Sequence, residues 1–231
     1  MSHERRLLSI ALLFSLALSP LAGHAFETKA REALVIDDDT GMVLFSKDAD
    51  VPMPPASMSK LMTLYVLFEA IRDGRVSKDT EFLVSPHAQS MVGSRMFVEA
   101  GTRVKVEDLI QGIIVQSGND ACVVVAEGLA GTEATFARQM TSRAQELGLK
   151  QSHFVNASGL PADGQVMSAH DLVLLAQHII ADFPDEYKYF QETEFTWNGI
   201  HQPNRNPLLK LGLGVDGLKT GHTAEAGFGL V

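Results

Sequence analysis

The order in which the hydrophobic period changes along the chain constrains its fold more than any other feature. Residues 32–48, EALVIDDDTGMVLFSKD, form two short β-rich runs around Asp38 to Gly41, a hairpin pattern. The aspartates at 37–39 read as a turn, because the loop lacks the later ligands of a calcium cage. Helical spacing follows. Residues 53–74, MPPASMSKLMTLYVLFEAIRDG, predict an amphipathic helix entered through an extended Pro54-Pro55 segment and stopped at Gly74. Residues 75–110 are mixed, with Gly93 and Gly101 breaking any long period. The run EDLIQGIIVQ predicts helix up to Gln116, and further helical patterns cover Asp120 to Ala130, Glu133 to Leu147 and Ala169 to Ala181, the last capped by Ser168. From EFTWNGI onward the texture is that of strands again. Strands, helices, then strands imply an α/β chain whose antiparallel sheet lobe is interrupted by an inserted all-helical lobe, at about residues 75–190.

A chain of 231 residues with 45% hydrophobic and 20% charged residues can bury a sizeable single core. Its first 25 residues resemble a secretory leader, with Arg5 and Arg6, an apolar run from Leu7 to Leu18, and a small-residue cut site ending at Ala25. That run is shorter than the ~20 residues of a membrane span. Residues 26–231 are then the exported domain, expected in the periplasm. The formal charge of -9 becomes -10 without the leader, which carries +1, so the domain offers no electrostatic footprint for nucleic acid. Cys122 is the only cysteine, so no internal disulfide can form, and its helical apolar surroundings mark it as a buried structural thiol.

Ser57 and Lys60 share one face at the start of the first long helix. A serine is a poor nucleophile until its proton is removed, and a lysine can remove it only when uncharged. Burial, the helix N-terminus and a neighbouring cation all favour that neutral form. Helix-start N–H groups can also hold an oxyanion. The bland reading has Ser57 as a cap and Lys60 as a solvated chain. Chance alone places a Ser-x-x-Lys in roughly one chain of this length, so the pair is uninformative by itself. Two later triplets change that: Ser117-Gly118-Asn119, and Lys219-Thr220-Gly221 in a strand-like segment, which chance supplies in only ~5% of such chains.

The three elements, in order, are those of penicillin-binding proteins and active-site serine β-lactamases. With the blocks MSKLMT, SGNDAC, GLPADGQ, NGIHQPNRNPLL and DGLKTGHT, the chain from about Glu32 to Val231 resembles the D-alanyl-D-alanine carboxypeptidases of the low-molecular-mass penicillin-binding protein group. The resemblance implies a serine β-lactamase/DD-peptidase fold with no cofactor and no metal. It implies a carboxypeptidase that removes the terminal D-alanine of peptidoglycan pentapeptides and is acylated by β-lactams. Ser57 would be the nucleophile, Lys60 the base and Ser117 a proton relay. Asn119 would hold the substrate amide and Lys60. Lys219 and Thr220 would bind the terminal carboxylate, Gly221 would allow close approach, and the N–H groups of Ser57 and His222 would form the oxyanion hole. Arg205 stands as a second-tier cation and Ser59 as a polar residue of the helix start.

Two other readings share the acylating motifs: a serine β-lactamase, and a penicillin-binding sensor that stays acylated. A class A lactamase uses a glutamate-held water, whereas the loop between Ser117 and Lys219 offers Asp163. The Gly212 to Gly217 run has dinucleotide-loop spacing but precedes a strand, and the eight histidines form no zinc motif. The resemblance also implies further strands and a closing helix after Val231, then a β-rich domain and an amphipathic helix that would anchor a longer form at the outer face of the inner membrane. The chain as written is therefore expected to be a fragment with an uncovered sheet edge, prone to aggregation.

Overall fold

In the computed structural model, which describes residues 27–231, the stretch after Lys60 is the axis on which the rest is assembled. The leader expected at residues 1–25 lies outside the described residues. Arg31–Val231 forms one compact unit, which holds every element named below.

Helix α1 spans Lys60–Arg72, and all eleven residues from Lys60 to Ala70 are buried. The expected amphipathic helix is thus a fully enclosed one. An apolar stripe predicts one buried face, but here the polar positions on the other face are also satisfied inside the protein. Thr63 donates to the Ala157 carbonyl at 2.6 Å, Tyr65 to Asp182 at 2.8 Å, and Glu69 pairs with Arg143 at 2.8 Å. Burying Leu61, Leu64, Leu67 and Phe68 stabilises the fold by about 1.5–3 kcal/mol for each side chain. Gly74, at φ +70°, ends this segment as expected.

Around α1 lie α2 (Pro86–Ser90), α3 (Val106–Ile114), α4 (Asn119–Ala130), α5 (Glu133–Glu146), α6 (Ala169–Asp182) and α7 (Pro184–Tyr187). The Ser168 hydroxyl caps α6 by accepting from the Asp171 N–H, as expected. Cys122 is wholly buried in α4. No helix among the described residues is long and apolar enough to cross a membrane.

The strands are antiparallel throughout: β1 (Ala33–Ile36) with β2 (Val43–Lys47), β3 (Glu81–Leu83) with β4 (Arg103–Lys105), β5 (Glu194–Trp197) with β6 (Ile200–Pro203), and β7 (Thr220–Thr223) with β8 (Gly227–Leu230). Two details differ from the sequence reading. Among the described residues the strands form four separate two-stranded ladders, without hydrogen bonds joining the first hairpin to the last. The inserted lobe is also not all-helical, because β3 and β4 fall within it. Phe82 points inward between exposed Glu81 and Leu83, and Val104 between Arg103 and Lys105, a period of two too short to stand out over three residues.

Candidate active site

The approach to Ser57 is a 3-10 turn, Ala56–Ser59, set ahead of α1. Pro55 is not extended as its diproline context predicts but helical, at φ -80° and ψ -12°, and Ala56 follows at φ +48°. Tertiary contacts impose this conformation. The face of the β7–β8 hairpin lies against the turn, so that a Cβ on Gly221 would stand 3.2 Å from the Ala56 Cβ and the Met58 nitrogen. Gly159 passes on another side, where a Cβ would lie 1.9 Å from the Ala56 carbonyl oxygen. Glycine is required at 159, which is also held at φ +79°, whereas at 221 a methyl would force its neighbours to give by a few tenths of an ångström. The Ser59 hydroxyl closes the turn by donating to the Ala56 carbonyl at 3.0 Å, which gives that residue a structural place.

Lys60 is the first residue of α1 and is 0% exposed. Its Nζ lies 2.8 Å from the Ser57 Oγ, 2.8 Å from the Asn119 Oδ1 and 2.5 Å from the Ser158 carbonyl oxygen. The amide oxygen and the carbonyl can only accept, so they take two N–H bonds. The third position faces a hydroxyl that can accept from an ammonium or donate to an amine lone pair. Both charge states are therefore fully hydrogen-bonded; they differ by one proton exchanged with solvent, the Ser57 hydroxyl turning from acceptor to donor as Lys60 becomes neutral. Burial lowers the Lys60 pKa to about 8, and the Arg205 guanidinium works in the same direction. Cys122 supplies no counter-charge, since burial pushes its thiol up to about 12 and leaves it neutral.

Asn119 begins α4 and is held at both ends of its amide, with Nδ2 donating to the Val92 carbonyl at 2.7 Å. Its neighbour Asp120 is buried and accepts from the N–H groups of Met96, Phe97 and Val98 at 2.8, 2.7 and 3.2 Å. This carboxylate staples the 91–98 segment over the site. The segment also presents Ser94, whose hydroxyl accepts from Arg205 at 2.6 Å. Ser117 is 2% exposed and held at φ +58°, a conformation uncommon for a non-glycine residue.

On the opposite wall, Lys219 is buried and its Nζ donates to the Thr220 carbonyl at 3.1 Å. Burial holds its pKa well below the usual lysine value, and Lys60 and Arg205 add to that effect. Lys219 and Val231 exchange both backbone hydrogen bonds across the ladder. Antiparallel pairs alternate, so the register leaves the backbone groups of Thr220 and His222 on the free edge of β7. The His222 ring stacks on Phe228 with centroids 4.1 Å apart.

A cleft of about 680 Å³ is lined by Ser57, Ser117, Arg205, Thr220, Gly221 and His222, among others, with Lys60 and Asn119 bonded behind Ser57. All eight residues expected from sequence thus gather at one place. Sequence reasoning missed Ser158, Gly159 and Asp120. The first two lie in the turn-rich NASGLPADGQVM loop, where only the density of turn formers pointed to a special backbone.

Such an arrangement has the chemistry to activate an alcohol toward a carbonyl and to receive an anion beside it, the class of site that acylating serine hydrolases use. The chain belongs to the D-alanyl-D-alanine carboxypeptidase family, whose sequence model matches residues 19–231. It is 45% identical to the D-alanyl-D-alanine carboxypeptidase DacA of Escherichia coli (strain K12), over 87% of this chain and 52% of that protein. It thus spans about half the length of that relative. Penicillin binding protein 6B from Escherichia coli superposes with a TM-score of 0.85 at 43% identity, covering 91% of this chain and 69% of that one. Penicillin-Binding Protein D2 from Listeria monocytogenes in its ampicillin-bound form gives 0.79 at 32% identity, covering 88% and 84%. The fold is therefore the DD-peptidase one expected from sequence.

Proposed function

We propose that the chain is a serine D-Ala-D-Ala carboxypeptidase that releases the terminal D-alanine of peptidoglycan pentapeptides, and that β-lactams acylate it at the same serine. The observation that carries this reading is the buried Lys60 amine, 2.8 Å from the Ser57 hydroxyl with two acceptor-only neighbours on its other sides. Neutral Lys60 takes the Ser57 proton as Oγ attacks the penultimate D-alanine carbonyl. The oxyanion is met by the N–H of Ser57, in the first turn, and that of His222, on the free edge of β7. Ser117, facing Ser57 across the cleft, relays a proton to the departing amine as the C–N bond breaks. Thr220 and Lys219 take the carboxylate of the leaving residue, Gly221 keeps β7 close, and Asn119 orients Lys60 while offering its second Nδ2 proton to the substrate. Water then cleaves the acyl ester and restores Ser57.

Carboxypeptidase action is favoured over lactamase action because, among the described residues, no carboxylate lines the cleft to hold a hydrolytic water at Ser57 as the glutamate of a class A lactamase does. The leader-like residues 1–25 support a periplasmic location. The test is Ser57→Ala. It should abolish both covalent labelling by a fluorescent penicillin and D-alanine release from a D-Ala-D-Ala peptide. Labelling that survives the substitution would refute the reading.

A further inference from the structure

The chain from Phe154 to Leu160, which passes beside Lys60, is neither helix nor strand, yet each of its seven consecutive backbone N–H groups donates to a side-chain oxygen. Thr141 accepts the first and Gln165 the next two. Asn156 and Ser158, inside the segment, accept the last three. The remaining N–H, that of Ala157, donates to Glu133 Oε1 at 3.0 Å. Glu133 is the one charged acceptor of the set, and bonds to a carboxylate are the stronger kind. It is the first residue of α5, its side chain is 16% exposed, and its other oxygen lies 3.3 Å from the His87 ring of α2.

Helix α1 holds the same segment by its carbonyls. Thr63 donates to the Ala157 carbonyl at 2.6 Å, and Lys60, one turn earlier on that face, to the Ser158 carbonyl at 2.5 Å. Ala157 is thus gripped at its N–H by Glu133 and at its C=O by Thr63, immediately before the carbonyl that Lys60 uses. Peptide units are planar, so these two bonds fix the two planes that flank Ala157. Asn156 stiffens the turn from within, whereas Glu133 and Thr63 tie it to separate helices. The Glu133 carboxylate is also felt in the interior, since the Cys122 thiol, raised first by burial, is raised further by it. An effect of its charge and an effect of its acceptor oxygen therefore need separate variants.

We propose that Glu133 is a positioning residue for the acylation step. Through Ala157 it holds the Ser158 carbonyl where that oxygen takes one N–H of Lys60, so that the lone pair of the neutral amine faces Ser57. Thr63 completes the clamp from the other side of the same residue. The inference rests on Lys60 acting as the base toward Ser57, and neither Glu133 nor Thr63 lines the cleft.

The test follows labelling by a fluorescent penicillin as a function of pH, scaled to the titrated active sites, for the parent, Glu133→Gln and Glu133→Ala. Glutamine keeps an acceptor for the Ala157 N–H without the charge, and alanine has neither. In Glu133→Ala the plateau rate constant should fall about tenfold or more, as expected when a reacting group is slightly misplaced. The midpoint should also move below the parent's value of about 8, because the ammonium loses more than the amine when the carbonyl withdraws. Glu133→Gln should restore the parent midpoint and bring the plateau to within about threefold of the parent. Arg205, Asp120 and Cys122, which also act on Lys60, are unchanged in every variant.

A role in stability alone would lower the unfolding temperature of Glu133→Ala and leave its plateau and midpoint where they were, and that result would overturn the proposal. A glutamine variant as slow as the alanine one would overturn it too, by assigning the effect to charge. Should Glu133→Ala yield no folded protein, Thr63→Val is measured in its place, since it frees the other side of Ala157. A parental profile from that variant would overturn the clamp while leaving Lys60 as the base. A flat profile in the parent would overturn Lys60 as the base and the clamp with it.

Discussion

The Lys60 amine and the Ser158 carbonyl oxygen, 98 positions apart in the chain, stand 2.5 Å from each other. This contact sets the acid–base behaviour of the site. It gives one N–H of Lys60 an acceptor that cannot take a proton, so the lone pair of the neutral amine is directed by elimination to Ser57. Ser158 is itself fixed by Asn156, whose side-chain oxygen accepts from the N–H groups of Ser158 and Gly159 at 3.1 and 2.8 Å.

Acylation should follow the neutral fraction of Lys60. Its pKa of about 8 implies a rate constant for penicillin labelling that rises about tenfold per pH unit below that value and levels off above it. Arg205 lowers this pKa, so Arg205→Gln should move the midpoint upward by making the ammonium less unfavourable. Stopped-flow labelling from pH 6 to 10 reads both effects. A flat profile would show that Lys60 is not the base.

Gly159→Ala should damage stability and acylation together. The new methyl would meet the Ala56 carbonyl at 1.9 Å, and the position is held at φ +79°. A loss of about 2–4 kcal/mol in unfolding free energy is expected, with a displaced Ser57 turn. Denaturant titration and labelling rate check it, and a variant as stable and as reactive as the parent would contradict the packing described.

Asp120→Ala should release the 91–98 segment. Three backbone N–H groups lose a charged acceptor, at a cost of about 3–5 kcal/mol given the worth of bonds to charged groups. Proteolytic nicking between Met91 and Gly101, absent in the parent under the same conditions, is the expected readout. Asp120→Asn, which keeps one acceptor oxygen, should lie between the two.

Lys219→Met removes the buried cation expected to meet the substrate carboxylate. Second-order acylation by a carboxylate-bearing penicillin should fall on the order of a hundredfold, through weaker binding of the charged group. A neutral ester of the same β-lactam should lose much less. Equal losses for acid and ester would remove Lys219 from carboxylate recognition.

Local reading recovered most elements because each obeys a short-range rule. Asp37 accepts from Thr40 to close the first hairpin, Ser168 caps α6, and Gly74 ends the segment after α1. It misjudged the surroundings of α1, since periodicity reports which face is apolar but not whether Thr63 and Tyr65 find partners inside. Pro55 departed from its local preference because β7 and Gly159 press on the turn from two sides. The motif residues were legible because their types and spacing are chemical requirements. Ser158 escaped notice because it contributes a backbone carbonyl, a group every residue has.

The sequence alone pointed to Ser57 and Lys60 as a candidate pair one turn apart, and the two later triplets, Ser117-Gly118-Asn119 and Lys219-Thr220-Gly221, raised that pair above chance. The Lys219-Thr220-Gly221 triplet and the order of strands and helices follow from equally local patterns. Tertiary structure decided the surroundings of that amine. Removal of Lys60 from water, the two acceptors at Asn119 and Ser158, and the cation at Arg205 come from segments distant in the chain. Desolvation and direction are properties of an assembled interior, which no short stretch of sequence contains.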